Sequence, residues 1–274
     1  MKLYFRQVGQ KGESVFLFHG LYGSSFNWNA VAQDLGQLYR VFAFDLRNHG
    51  LSPKATFMDY PQMIGDVLQT VGQLDIFPVY IVGHSLGGKL AMALAQTFQD
   101  KVKGLVVLDI APVDYGQEVL EMHLRVLKAL KGLPLEHIKS RKEAEIFLSK
   151  EIDEGSLVRF LLTNLVYESN KYGWRINLEG IENSIEILNS FPHMPAQYFG
   201  KSLFVFGEKS PYFHPSFIPR IRFSFPGASA VILRGAGHWI HYERFEEFME
   251  LLRLFLGKSE NTLYSYLARS LRTI

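Results

Sequence analysis

The chain has 274 residues, enough for one large domain or a domain carrying an insertion. Its 47% hydrophobic and 20% charged residues suit a globular protein with a full core, and a net charge of +2 is too slight to mark a binder of nucleic acid or of a membrane surface. There is no cysteine, which excludes disulfides and thiolate chemistry.

Six short apolar runs recur along the chain, each followed by a loop rich in Gly, Asp or His. The first two are Val15–Phe18 before His19-Gly20 and Val41–Phe44 before Asp45, with a helical pattern, Trp28–Leu35, between them. A second helical pattern, Tyr60–Leu74, leads to Val79–Val82, and a third, Leu86–Phe98, to Leu105–Leu108 before Asp109. The last two runs are Leu203–Phe206 before Gly207 and Ala230–Leu233 before Arg234. Continuous rather than alternating apolar runs predict strands covered on both faces, and strand–helix–strand repetition predicts a parallel sheet with right-handed crossovers. The fold class expected is therefore α/β.

Between Asp109 and Leu203 the alternation stops. Met122–Leu130, Glu143–Leu148, Ser156–Val166 and Leu178–Leu188 read as amphipathic helices with no strand among them. A connection of roughly 85 residues far exceeds an ordinary loop, so a helical cap spanning 112–197 is expected between two core segments, 1–111 and 198–274. Lys139-Ser140-Arg141-Lys142, followed by Glu143 and Glu145, reads as a solvated helix start. The tail from Gly257 carries Leu, Tyr and Ile residues that suggest a short extra helix. The N-terminal stretch, MKLYFRQVGQKGE, has no uninterrupted apolar run, and no window approaches the roughly 18 apolar residues of a membrane helix. A cytoplasmic protein is the expectation.

The chemistry points to Gly83-His84-Ser85-Leu86-Gly87, where a strand turns into a helix through a serine. Gly-x-Ser-x-Gly alone is a weak signal, and a serine there can simply cap the helix. Between a strand and a helix it also matches a nucleophile elbow, which lifts the hydroxyl clear of the backbone and aims the helix N-terminus at it. A serine hydroxyl needs a base within hydrogen-bond reach. Of nine histidines, His238 is favoured because Gly235-Ala236-Gly237-His238 follows the last strand, and strand-end loops on one side of a parallel sheet converge. His241 and His84 are the rivals, the latter better suited to supporting the turn.

For the acid, the position after the penultimate strand holds Ser210 where an aspartate would be sought. Asp109 ends the strand next to the serine's own and is the first choice, with Glu208 and Glu179 as alternatives. A carboxylate at Asp109 could equally cap the turn that leaves the strand. The oxyanion donors expected are the backbone amides of Leu86, just past the serine, and Leu21, in the loop after the first run.

Taken together, His19-Gly20, Asp45-Leu46-Arg47-Asn48-His49-Gly50-Leu51-Ser52, Gly83-His84-Ser85-Leu86-Gly87-Gly88 and Gly237-His238 resemble the α/β-hydrolase fold. Lys89, Asp109-Ile110-Ala111-Pro112-Val113-Asp114-Tyr115, Leu161-Leu162-Thr163-Asn164-Leu165 and Trp174-Arg175-Ile176-Asn177-Leu178 narrow the likeness to YbfF-type bacterial esterases and their mitochondrial abhydrolase relatives. The resemblance runs from about Phe16 to Leu256 and implies serine-dependent hydrolysis of small-molecule carboxylic esters or thioesters, with no metal and no organic cofactor. It sets Ser85, His238 and Asp109 on the triad positions. The early cap, 116–154, matches poorly, so substrate preference is not carried over. Asp45 and Arg47 are expected to bond neighbouring loop amides. Trp174 and Arg175 either touch substrate or close the cap onto the core. A perhydrolase, a carbon–carbon bond hydrolase or a non-catalytic receptor on the same fold are the competing functions.

Overall fold

In the computed structural model the described residues are 1–194, 196–257 and, by backbone alone, 272–273. Their centre is an eight-stranded sheet. In chain order its strands are β1 (Phe5–Val8), β2 (Ser14–Phe18), β3 (Arg40–Phe44), β4 (Val79–His84), β5 (Val102–Leu108), β8 (Ser202–Gly207), β9 (Ala228–Leu233) and β10 (Arg272–Thr273), while β6 (Leu165–Glu168) and β7 (Lys171–Trp174) form a separate hairpin. The spatial order is β1-β3-β2-β4-β5-β8-β9-β10. The six strands read from the sequence run parallel, and the two edge strands, β1 on β3 and β10 on β9, run antiparallel.

Side chains of these strands alternate between two cores, one on each face. In β2, Phe16 and Phe18 enter one core, and Val15 and Leu17 the other; β4 does the same with Val79 and Ile81 against Tyr80 and Val82. Burying each such side chain contributes about 1.5–3 kcal/mol, which is why central strands read as unbroken apolar runs. Helices α2 (Tyr60–Val71) and α3 (Leu86–Thr97) cover the first face with Met63, Val67, Leu90, Ala91 and Leu94. Helices α1 (Asn29–Leu35) and α11 (Phe245–Leu256) cover the second with Val31, Leu35, Phe248 and Leu252. Between β8 and β9 lies α9 (Ile218–Ser224), and α10 (Ile240–Glu243) precedes α11.

Between β5 and β8 the chain leaves the sheet through α4 (Gly116–Gly132), α5 (Arg141–Leu148), α6 (Gly155–Leu162), the β6–β7 hairpin, α7 (Leu178–Glu182) and α8 (Ile185–Asn189). The segment differs from the four uninterrupted helices expected. The third expected helix stops at Leu162, and Leu165 and Val166 begin a strand whose two-residue turn, Ser169-Asn170, has φ of 51° and 63°. Positive φ at both turn positions matches the twist of a tight hairpin. The fourth helix divides between Glu182 and Ile185, where the Ser184 hydroxyl turns back to the Gly180 carbonyl at 2.7 Å. Ser140 caps α5 by accepting the Glu143 amide, so the basic cluster there is a helix start. The short helix expected in the tail, 257–274, lies mostly outside the described residues, and of the described part Arg272–Thr273 is strand.

The direction of strand addition reverses between β2 and β4: β3 and β1 lie beyond β2, β5 and β8 beyond β4. In open parallel sheets this reversal opens a crevice at the carboxyl ends of the two strands. The loops after β2 and β4, carrying Leu21 and Ser85, flank it. Two glycines bring α3 tightly against this edge. A Cβ on Gly83 would lie 2.2 Å from the Gly87 carbonyl oxygen, and one on Gly87 would lie 2.3 Å from that of Phe18. Backbone cannot retreat as a side chain can. Gly87→Ala is therefore expected to destabilise the fold by about 3 kcal/mol or more. Gly65→Ala, in α2 where an added Cβ meets nothing, should instead stabilise it by roughly 0.5–1 kcal/mol. Urea denaturation of the two variants beside the native chain checks both signs.

Candidate active site

Ser85 links β4 to α3 with φ 52° and ψ −118°, a backbone setting that costs a non-glycine residue about 1–3 kcal/mol. Its amide donates to the Leu108 carbonyl at 3.0 Å and its carbonyl accepts from Lys89 at 3.0 Å, so β5 and the first turn of α3 hold it from both sides. The side chain makes no cap bond to the helix. Asp109, the residue after Leu108, is fully buried and also sits at positive φ, 54°. Among the described residues six non-glycines have positive φ; Ser169 and Asn170 turn the hairpin, and Tyr22, Asn48, Ser85 and Asp109 all lie on loops at the strand ends. Backbone strain is concentrated around the crevice.

The Asp109 carboxylate has three hydrogen-bond donors. Oδ1 accepts the Gly207 amide at 2.8 Å, while Oδ2 faces His238 Nδ1 at 2.7 Å and also receives the Ser210 hydroxyl. A buried carboxylate with Nδ1–H as donor fixes the imidazole tautomer and leaves Nε2 as the ring's free nitrogen. The His238 ring stacks on Tyr212, centroids 4.3 Å apart, and its backbone carbonyl accepts His84 Nε2–H at 2.8 Å. His84 thus ties the residue before Ser85 to His238. His241 stacks on Trp28, 4.6 Å away, and is buried. Neither alternative carboxylate reaches His238: Glu208 accepts the Gly235 amide at 2.8 Å, and Glu179 lies exposed in the first turn of α7. Ser210, standing where the sequence lacks an aspartate, supplies a donor to the carboxylate on the neighbouring strand.

The loop after β2 passes close to the serine, since a Cβ on Gly20 would lie 3.2 Å from that of Ser85. The amides of Leu21 and Leu86 take no backbone or side-chain acceptor among the described residues. Two histidines brace this loop. His19 Nε2 accepts the Leu46 amide at 3.0 Å and His49 Nε2 accepts the Tyr22 amide at 3.1 Å, with their Nδ1–H groups turned to the Gly20 and Arg47 carbonyls. Both must be neutral to accept, and burial lowers them to about 4 and about 3. Asp45 accepts the amides of Ser25 and Leu51 at 2.6 and 2.7 Å. Arg47, which was expected to bond loop amides as well, has only donors and forks onto Asp66 at 2.6 and 2.9 Å.

The insertion is stitched to these loops. Asn164 Nδ2 donates to the Tyr22 carbonyl at 2.7 Å, Asn177 bonds Asn48 through both backbone and side chain, and Lys89 Nζ donates to the Leu188, Asn189 and Ser190 carbonyls at 2.6–3.0 Å. Burial lowers the Lys89 ammonium to about 7. Trp174 closes structure within the insertion, its indole donating to the Leu130 carbonyl at 3.0 Å, and Arg175 faces Glu168 across the hairpin. A cleft of about 340 Å³, its open mouth included, lies between the insertion and Ser85. Tyr115, the last residue of the Asp109–Tyr115 stretch, contributes to its wall with His123, Tyr212 and Asn189, and no sequence pattern singles out the latter three, because each is a lone polar or aromatic residue on a different element.

A strained serine between strand and helix at the switch point of such a sheet defines an α/β hydrolase. The alpha/beta hydrolase fold family matches residues 13–245, and the chain belongs to it. It is 36% identical over 250 residues to the mouse protein named sn-1-specific diacylglycerol lipase ABHD11, covering 89% of this chain and 81% of that one. To Esterase YbfF of Escherichia coli K12 it is 32% identical over 243 residues, 89% and 92% of the two chains. A solved structure titled "Marine microorganism esterase" superposes with a TM-score of 0.90 at 38% identity, covering 93% of this chain and 99% of that one. The protein is a hydrolase. No helix among the described residues is long and apolar enough to cross a membrane.

His19, His49, His84, His123 and His241 all have pKa values lowered by burial. Below the unfolded value near 6.5 the unfolded chain binds protons that the folded one refuses, so stability is present above pH 6.5 and is lost as pH falls towards about 4. Urea midpoints measured from pH 7.5 to 4.5 should fall steeply below 6.5, and His49→Gln should make the slope shallower. A flat profile would mean that these rings ionise freely in the folded state.

Proposed function

We propose that the protein is a serine esterase acting on carboxylic esters and acyl thioesters of small to medium acyl groups, with residues 112–197 as a cap over the site. The observation that carries the reading is the Asp109–His238 hydrogen bond at 2.7 Å between residues on separate strand-end loops, on a histidine whose carbonyl is bonded to the neighbour of Ser85. In this mechanism Ser85 Oγ attacks the acyl carbonyl carbon while its proton passes to His238 Nε2. The negative oxygen that forms is held by the Leu21 and Leu86 amides, each worth about 3 kcal/mol to the transition state. The carbonyl carbon–leaving group bond then breaks, and the imidazolium gives its proton to the departing alcohol or thiol. Water adds to the acyl-enzyme, delivers its proton to His238, and the acid leaves as Ser85 recovers its hydroxyl proton. Asp109 stabilises the imidazolium without taking its proton. Ser210 and Gly207 keep the carboxylate in place, and the stack on Tyr212 limits ring rotation. The relatives named esterase and diacylglycerol lipase support an ester bond as the target.

Initial rates on p-nitrophenyl acetate, butyrate and octanoate test the proposal. Hydrolysis is expected to be fastest with the two shorter chains and to fall by at least ~10⁴-fold in Ser85→Ala. Asp109→Asn should lower turnover by up to ~10⁴-fold with the fold intact, because the neutral amide favours the wrong imidazole tautomer. Ester hydrolysis that survives in Ser85→Ala would overturn the mechanism.

A further inference from the structure

The cleft beside Ser85 is less apolar than a pocket for a plain alkyl chain needs to be. Leu21, Leu86, Ile110 and Leu188 supply its apolar wall, yet two side chains of the insertion bring buried polar atoms with no partner among the described residues. Asn189, at the end of α8, is buried and donates through Nδ2 to the Gly116 carbonyl at 2.8 Å, while its Oδ1 has no partner among the described residues. His123, on α4, has Nε2 3.4 Å from the Tyr212 hydroxyl, and its Nδ1 is buried and unpartnered. Burial holds the His123 ring neutral, so Nδ1 is either a donor or an acceptor, depending on which way the bond to Tyr212 runs. A third unpartnered atom, the Tyr22 hydroxyl, belongs to a ring whose centroid is 6.3 Å from that of His123. Tyr22 itself does not line the cleft, but His123 and Asn189 both do, and orphaned buried polar groups cost stability, so two of them on residues of one cleft wall call for a partner that a ligand can supply.

The cleft also has a direction. In the proposed mechanism His238 protonates the leaving group, so that half of the substrate must lie beside His238. Among the described residues that line the cleft, His238 is absent, whereas both oxyanion amides' residues and Lys89, one turn along α3 from Ser85, are present. The cleft therefore takes the acyl half. We propose that it selects a short acyl group bearing a hydroxyl, which is bonded by His123 and Asn189. A hydroxyl is a small neutral substituent that both donates and accepts: its single proton goes to Asn189 Oδ1 and its oxygen accepts His123 Nδ1–H, in the tautomer whose Nε2 accepts the Tyr212 O–H. Lys89 takes no direct part, because its three N–H bonds already go to the carbonyls ending α8.

This inference rests on the esterase reading, and the test separates the two. Methyl butyrate is compared with the methyl esters of 2- and 3-hydroxybutyrate, each enantiomer, by pH-stat, with rates normalised to hydroxide-catalysed hydrolysis. At least one hydroxy ester should exceed methyl butyrate about tenfold in kcat/KM, since a site built to bond a hydroxyl discriminates against the analogue lacking it. In His123→Phe, and independently in Asn189→Leu, that ratio should collapse to near one. If every hydroxy ester is cleaved no better than methyl butyrate by the native protein, or if the ratio is unchanged in both variants, the hydroxyl site does not exist and the orphaned atoms hold water. In either case Ser85-dependent cleavage of methyl butyrate would leave the esterase reading standing. Loss of all ester hydrolysis would sink that reading instead.

Discussion

The structure depends on one strained residue. Ser85 joins β4 to α3 in a conformation that serine does not choose freely, and it is held there by backbone bonds to Leu108 on one side and Lys89 on the other. Holding it requires α3 to pass so close to β2 and β4 that only glycine fits at 83 and 87. The same crossing brings the start of α3 alongside the loop after β2, where the Leu21 amide has no partner among the described residues. The geometry of the site is thus a consequence of how one helix leaves one strand at the point where the sheet changes direction.

Around that turn the protein spends buried polar groups freely, and many of them are bonded. Two neutral histidines accept amides of the loops after β2 and β3, Asp45 accepts two more, and Asp109 is met by three donors. Net gain per bond is about 1 kcal/mol, but leaving one of these groups unmade would cost more, so the network fixes positions more than it adds stability. The insertion joins the same network through Asn164, Asn177 and Lys89 rather than lying on the core by apolar contact alone. Any displacement of the insertion would therefore be felt at the Tyr22 carbonyl and so at the loop carrying Leu21. Among the described residues, buried polar atoms without a partner remain on Tyr22, Ser25, Trp28, Asn48 and His241 as well as on His123 and Asn189, and of these only the last two line the cleft.

Much of this was legible in the sequence, and for identifiable reasons. The six parallel strands show as unbroken apolar runs because both their faces are covered. The edge strand β1 was missed, because Phe5-Arg6-Gln7-Val8 mixes polarities and is partly exposed. The hairpin was missed because Leu161, Leu162, Leu165 and Val166 keep a helical spacing past the point where Leu162 ends the helix, and Ser-Asn is a weaker hairpin signal than Asn-Gly. At the site, Ser85 and the loops carrying Asp109, His238 and Leu21 were legible because each follows directly on a strand. Ser210 was visible only as a missing aspartate. That it bonds Asp109, 101 residues away, is a product of β5 lying beside β8. His123, Tyr212 and Asn189 gave no signal at all, since only the fold brings them to one wall.

The central claim is that the turn exists to make Ser85 reactive. It is tested most directly by treating the protein with an activated alkylphosphonate p-nitrophenyl ester and mapping the adduct by peptide mass spectrometry. The account requires a single stoichiometric adduct on Ser85, formed at least ~100-fold more slowly in His238→Gln, where the base is lost. An adduct on another residue, or labelling of Ser85 at the same rate without His238, would contradict it.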